Sequence, residues 1–174
     1  MSHPLQFIEL FEEIPEDMRK VFIGMGTYKD VACRMISPHF ETIHVIGEPQ
    51  KSVAPYDNIE LDEDIRVPWI LVHLGDSIDV LPSLYEDYKD GAVFYMDAHV
   101  SDWEPKPDHQ TPLLKEIEFI NKKPLGPSLF IVDDMKILLN GFWQVCSQFR
   151  PDQIKKAYEK NDRYWIFTNQ TFEK

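Results

Sequence analysis

The stretch Lys20-Val-Phe-Ile-Gly24-Met-Gly26-Thr27-Tyr28 is a short apolar run that passes into two closely spaced glycines. The residues that follow, Tyr28 to Ile36, have the apolar spacing of a helix. Glycine in a strand-to-helix turn lets the backbone approach a ligand closely, while the first turn of the helix presents unpaired amides. The segment therefore predicts a strand, a tight turn and a helix, the first unit of an α/β fold.

The alternation of strand and helix continues along most of the chain. Further strands are predicted at Thr42–Ile46, Trp69–Leu74, Ala92–Met96, Ser128–Val132 and Tyr164–Thr168. Helices are predicted at Leu5–Met18, Ser77–Tyr88, Thr111–Asn121, Met135–Phe149 and Pro151–Lys160, and the proline-containing segment between Pro49 and Pro68 predicts no full helix. This order predicts a mostly parallel sheet of about six strands with helices on both faces, in a single domain spanning residues 1–174.

Composition and charge narrow the classes of partner. Acidic residues outnumber basic ones and give a formal net charge of −12, which repels nucleic-acid phosphates and anionic lipids. No apolar run approaches the roughly 20 residues that span a bilayer, and residues 1–16 lack the basic and apolar regions of an export signal. We therefore expect a cytoplasmic protein that binds neither nucleic acid nor membrane.

Polar residues follow the first three predicted strands, at the edge where parallel sheets bind ligands. Glu48, about twenty residues after the glycine turn, stands where an acid accepts ribose hydroxyls, although a solvated turn residue is the alternative. Asp76 either contacts an adenine amine or caps the next helix, and the two roles are compatible. Lys29 occupies the third glycine position of a dinucleotide fingerprint, which weighs against an NAD(P)-dependent oxidoreductase.

Acidic residues follow the fourth and fifth predicted strands. Asp97 ends one strand, and Asp133 and Asp134 end the next. Carboxylates brought together repel one another unless a positive charge lies between them, and Mg²⁺ or Ca²⁺ prefers oxygen ligands. The alternative is that Asp134 caps a helix while Asp97 accepts from backbone amides. His99 could act as a base or a ligand, or be structural. The other histidines are assigned no chemistry.

Taken together, these motifs resemble class I S-adenosylmethionine (SAM)-dependent methyltransferases, and within them the sugar and small-molecule O-methyltransferases of the macrocin type. The likeness extends from about Lys20 to Asp134 and rests on the order and spacing of five segments. They are Gly26-Thr27-Tyr28, Gly75-Asp76-Ser77 with Leu81-Pro82, Phe94-Tyr-Met-Asp97-Ala-His99, Thr111-Pro112-Leu-Leu-Lys-Glu-Ile-Glu, and Ile131-Val-Asp133-Asp134.

The resemblance implies a Rossmann-like three-layer sandwich and specific site residues. It implies that SAM binds at Gly24, Gly26, Thr27, Tyr28, Glu48, Asp76 and Ser77. It also implies that Asp97, Asp133 and Asp134 hold a divalent cation, Mg²⁺ above all, and that His99 acts as general base beside Asp97. The implied activity is metal-assisted O-methylation of a hydroxyl on a sugar, glycan or other small molecule.

Two departures from the family pattern motivate an alternative function. Gly24 stands where many relatives have an acid that organises the donor, and the helix between the second and third strands is not predicted. The alternative is a non-catalytic binding or assembly module with a degenerate methyltransferase fold. The sequence leaves the methyl acceptor and the oligomeric state open.

Overall fold

The computed structural model describes residues 12–26, 37–47, 70–97, 112–133 and 141–169. The strands within these ranges are β1 (Val21–Met25), β2 (Thr42–Gly47), β3 (Ile70–Leu74), β4 (Val93–Asp97), β5 (Leu129–Asp133), β6 (Ile154–Lys160) and β7 (Arg163–Thr168). The α-helices are α1 (Ser77–Val80), α2 (Tyr85–Tyr88), α3 (Pro112–Asn121) and α4 (Gly141–Cys146), and 3₁₀ turns cover Glu16–Met18, Ser37–His39 and Leu81–Leu84. None of these helices is long and apolar enough to cross a membrane.

The strands form one sheet in the order β3-β2-β1-β4-β5-β7-β6. Strands β1 to β5 pair in parallel, whereas β7 runs antiparallel to both β5 and β6. The prediction of a mostly parallel sheet is confirmed, and the described residues contribute seven strands in place of about six. The parallel strands therefore end at one edge of the sheet, and the described residues among those singled out above, Gly26, Asp76, Asp97 and Asp133, lie at this edge.

The predicted helix over Pro151–Lys160 is wrong, because Ile154–Lys160 is strand β6. It joins β7 through a two-residue turn in which Asn161 and Asp162 have φ of 54° and 59°, as a hairpin turn of this length requires. The apolar residues Ile154, Ala157 and Tyr158 are spaced as on a helix face, which explains the error. The Asn-Asp pair before an aromatic run is compatible with a hairpin turn, because both residues tolerate positive φ.

The sheet buries a different set of side chains on each face, as strand alternation requires. On one face, Phe94 and Phe130 stack at 4.8 Å between ring centroids, in a cluster with Leu81, Ile117 and Val145 from the helical segments. The residues at the centre of the other face are Ile14, Phe22, Phe40, Ile43, Tyr95, Ile131 and Trp165.

The segment predicted as one helix over Ser77–Tyr88 is helical but divided. A 3₁₀ turn separates α1 from α2, and Pro82 lies at its start. Proline has no amide to donate to the preceding turn, which accounts for the break in regular α-helix. The predicted helix over Tyr28–Ile36, most of Leu5–Met18 and the segment from Pro49 to Pro68 lie outside the described residues.

Two histidines that the sequence left without a role form a pair. Nδ1 of His44, a buried residue of β2, lies 3.0 Å from Nε2 of His73 on β3, and its Nε2 lies 3.6 Å from Asp87 Oδ2. Burial lowers the pKa of His44, Asp87 opposes that shift, and His73 adds to it. Burial also lowers the pKa of His73.

The histidine pair predicts a loss of stability in mild acid. A depressed folded-state pKa means that the unfolded chain binds more protons, so stability is complete above about pH 6.5 and falls as the pH drops below it. Replacing His73 by Asn should make this fall shallower. The exposed His39→Asn is the matched control, and urea unfolding at pH 5 to 8 measures the slopes. Identical slopes in all three proteins would contradict the assignment.

Candidate functional site

Three glycines lie at the carboxyl ends of β1, β2 and β3, and we call them the glycine strip. Gly26 follows β1 with φ of 77° and donates its amide to the Ile46 carbonyl at 3.1 Å. Gly75 follows β3 with φ of 143° and donates to the carbonyl of Gly47, the last residue of β2, at 3.1 Å. The three adjacent strand ends thus carry no side chains at these positions, so a ligand could approach the backbone closely.

Gly24 lies inside β1 and not in the turn that follows it. Its Cα pairs with Val45 on one side and Tyr95 on the other, and the ladder continues to Met25. The strand therefore ends later than the sequence indicated, and the turn begins at Gly26. Thr27, Tyr28 and Glu48, the other residues predicted for this half of the site, lie outside the described residues.

Asp76 and Ser77 begin α1 at the end of β3. Asp76 caps the helix by accepting from the Ile78 amide at 2.9 Å, and its side chain remains exposed. The Ser77 hydroxyl donates to Oε1 of Glu116 on α3. The capping role of Asp76 is therefore confirmed, and its carboxylate is still accessible to a ligand.

Glu116 is a buried carboxyl group that sequence reasoning missed, although it lies in a quoted motif. The residue is 7% exposed. Burial raises its pKa, the hydrogen bond from Ser77 opposes the rise, and the nearby Asp76 adds to it. Helical spacing predicted α3 but could not show that Glu116 faces α1, since that depends on how the two helices pack.

On the other half of the edge, Asp97 and Asp133 are Cα partners at the ends of β4 and β5. The predicted proximity of these two strand ends is therefore confirmed for the backbone. The side chain of Asp97, and the whole of His99 and Asp134, lie outside the described residues. Their predicted roles stay predictions.

Asp133 is 7% exposed and contacts two partners that the sequence did not suggest. The Tyr95 hydroxyl donates to its Oδ2. Arg163, from the start of β7, donates from Nη2 to Oδ2 at 3.3 Å, and its Nε lies 3.2 Å from Oδ1. We call these three residues the Tyr95–Asp133–Arg163 cluster.

The charge states within the cluster follow from its surroundings. Burial raises the pKa of Tyr95, and the carboxylate of Asp133 raises it further, so the phenol stays a proton donor. Burial lowers the pKa of Arg163, but Tyr95 and Asp133 outweigh this and the net shift is upward. The guanidinium therefore remains charged beside Asp133.

Of the three predicted magnesium ligands, Asp133 is the one whose side chain the structure describes. Its contacts do not suit a magnesium ligand. A magnesium ion would compete with the guanidinium for the same oxygens and would be repelled by it. Among the described residues, no three His, Cys, Asp or Glu side chains form a group that could hold a metal. The arrangement instead suits a neutralised, buried carboxylate.

No protein-family model and no curated protein sequence matches the chain. Solved structures match its fold. A putative SAM-dependent methyltransferase from Streptococcus mutans aligns with a TM-score of 0.59 at 10% identity, over 96% of this chain and 48% of that one. A putative caffeoyl-CoA O-methyltransferase from Staphylococcus aureus aligns with a TM-score of 0.61 at 12% identity, over 97% of this chain and 85% of that one. An rRNA methylase from Streptococcus thermophilus aligns with a TM-score of 0.51 at 7% identity, over 99% of each chain.

These matches show the fold. The chain has the Rossmann-like fold found in SAM-dependent methyltransferases. Some of the matched structures are described as O-methyltransferases. Two are described with S-adenosylhomocysteine (SAH) bound. It spans about half the length of the Streptococcus mutans protein. The macrocin-type subfamily stays a prediction.

The strand order also bears on the oxidoreductase alternative. Dinucleotide-binding sheets commonly have the order 3-2-1-4-5-6. Here the antiparallel β7 lies between β5 and β6. Together with Lys29 in place of the third glycine, this insertion disfavours an NAD(P)-dependent enzyme.

Replacing Glu116 by Gln should change how stability depends on pH. A raised folded-state pKa means that stability is greatest below the ordinary value of 4.5 and falls as the pH rises through the folded-state pKa. Gln keeps an acceptor for Ser77 but carries no charge, so the melting temperature of the variant relative to the parent should rise with pH.

Glu118→Gln, an exposed change on the same helix, is the matched control. Thermal unfolding between pH 4 and pH 8 measures the effect. A difference between Glu116→Gln and parent that stays constant across this range would show that the Glu116 carboxyl does not titrate abnormally.

Proposed function

We propose that this protein is a SAM-dependent O-methyltransferase that acts on a hydroxyl of a sugar, glycan or other small molecule. The observation that carries the proposal is the glycine strip, which lies beside the exposed carboxylate of Asp76. Both belong to a sheet with the strand order β3-β2-β1-β4-β5-β7-β6. A strip free of side chains fits a ligand that lies across several strand ends, as a nucleoside joined to an amino acid would. SAM, when bound, supplies an electrophilic methyl group.

The donor half of the proposed site is β1 to β3. Gly26, Gly47 and Gly75 leave room for the donor against the backbone. Asp76 is available to an adenine amine, because capping α1 uses Oδ1 and leaves the carboxylate exposed. Glu48 is proposed, from its position in the sequence, to accept the ribose hydroxyls.

The acceptor half is proposed at the ends of β4 and β5. Methylation forms an oxygen–carbon bond while the methyl–sulfur bond breaks, so the chain must align the acceptor and take up its proton. We propose that His99, two residues after Asp97 in the sequence, accepts this proton. The net charge of −12 favours a small or glycan acceptor over nucleic acid.

Metal assistance through Asp97, Asp133 and Asp134 is the further prediction from the sequence. The contacts of Asp133 with Arg163 and Tyr95 count against it. The proposed reaction therefore assigns no step to a metal, and proton removal is left to His99.

The alternative, a non-catalytic binding or assembly module, is supported by Gly24. This residue occupies the position of an acid in many relatives, and in the structure it is a buried residue of β1 with no side chain to offer. A protein of this kind would keep the sheet but bind the donor weakly or not at all. Ligand binding separates the two functions.

Calorimetric titration with S-adenosylhomocysteine should detect binding to the purified protein. Asp76→Asn should weaken binding about five- to tenfold, because a charged acceptor is replaced by a neutral one, while Asn still caps α1. Asp79→Asn, an exposed change within α1, is the matched control and should bind normally. Failure of the folded parent to bind at millimolar ligand would favour the non-catalytic module.

Replacing His99 by Ala should lower the methylation rate by about 10²–10⁴-fold, the usual contribution of a general base, and should leave donor affinity almost unchanged. Product formation with an acceptor found by screening hydroxylated small molecules and sugars measures the rate. His109→Ala, at a histidine assigned no chemistry, is the control. Equal rates for His99→Ala and parent would remove His99 from the mechanism.

A further inference from the structure

Three strands bring the Tyr95–Asp133–Arg163 cluster to the carboxyl edge of the sheet. Tyr95 lies on β4, Asp133 ends β5 and Arg163 begins β7. Because Val132 pairs with Tyr164 in the antiparallel ladder, the next residues along, Asp133 and Arg163, stand side by side. The cluster therefore depends on the insertion of β7 beside β5.

All three residues are buried, with exposed fractions of 1% for Tyr95, 7% for Asp133 and 3% for Arg163. A charge at such a site requires an opposite charge and hydrogen bonds, since water is largely excluded. Arg163 contacts both carboxylate oxygens, at 3.2 and 3.3 Å, and Tyr95 donates to one of them. The carboxylate is thus neutralised by the protein's own guanidinium.

The Arg163 guanidinium provides the positive charge that the acidic residues at these strand ends require. Acids at neighbouring strand ends need a positive charge, and the sequence suggested Mg²⁺. We propose that Arg163 supplies that charge, and that Asp133 is a positioning residue which joins β4, through Tyr95, to the adjacent ends of β5 and β7 and does not ligate magnesium. The inference rests on the proposed function only for identifying this edge as the acceptor half of the site.

The positioning role predicts a different response to metal in parent and variant. Millimolar Mg²⁺ should leave the melting temperature of the parent unchanged, because Arg163 occupies the Asp133 oxygens. Arg163→Met removes the guanidinium and should lower the melting temperature. Mg²⁺ should then restore about 2–4 °C to this variant, because the released carboxylate becomes a ligand. Simple loss of packing at Arg163 would give no such restoration.

Two further variants keep the test decisive if Arg163→Met does not fold. They are the double variant Asp133→Asn/Arg163→Met and the single variant Arg163→Lys. The double variant removes both charges of the described Asp133–Arg163 pair, so it should melt higher than Arg163→Met, and Mg²⁺ should not change its melting temperature. Arg163→Lys should recover part of the stability, since it keeps the charge but loses the two-point contact. The inference would be overturned if Mg²⁺ raised the melting temperature of the parent but left that of Asp133→Asn unchanged.

The same preparations separate this inference from the proposed function. Titration with S-adenosylhomocysteine in the presence of chelator tests the donor half alone. Binding there, together with stabilisation of the parent by Mg²⁺ through Asp133, would retain the function and reject the role of Arg163. Absence of binding, together with the expected metal response of Arg163→Met, would retain the cluster and reject the function.

Discussion

The parallel backbone pairing of β4 with β1 on one side and β5 on the other is the constraint on which the rest of the structure depends. Phe22 to Met25 pair with Val93 to Met96, and Val93 to Asp97 pair with Leu129 to Asp133. This double ladder places the carboxyl ends of the central strands together. It also sets which side chains enter the two cores, because strand residues alternate between faces. A one-residue slip would exchange the two sets.

The carboxyl edge divides into two halves with different chemistry. At β1 to β3 the glycine strip and Asp76 present backbone and one exposed carboxylate. At β4 and β5 the described side chains form a buried charge cluster that is neutralised internally. The first half presents an exposed carboxylate beside glycine backbone, and the second joins β4 to β5 and β7 through buried side chains. Such a division suits a group transfer between two bound molecules.

Several elements could be predicted from the sequence because their signals are local. The apolar runs of β1, β2, β4 and β5 are short and bounded by turn residues, and each was located to within one or two residues. The sequence of Pro151–Lys160 predicts a helix because Ile154, Ala157 and Tyr158 have the spacing of a helix face, although they lie on an edge strand. The edge strand β6 has no fully buried residue, so its apolar alternation is weak and tertiary pairing decides its structure.

The sequence by itself determined the class of fold and the strand ends that carry Gly26, Asp76, Asp97 and Asp133, because each follows an apolar run of strand length. Only the tertiary structure decided what those residues contact. Arg163 lies 30 residues beyond Asp133 and meets it because β7 inserts beside β5, and Glu116 meets Ser77 because α3 packs against α1. Such contacts depend on strand order and helix packing, which arise from burial across the whole chain and leave no local pattern in the sequence.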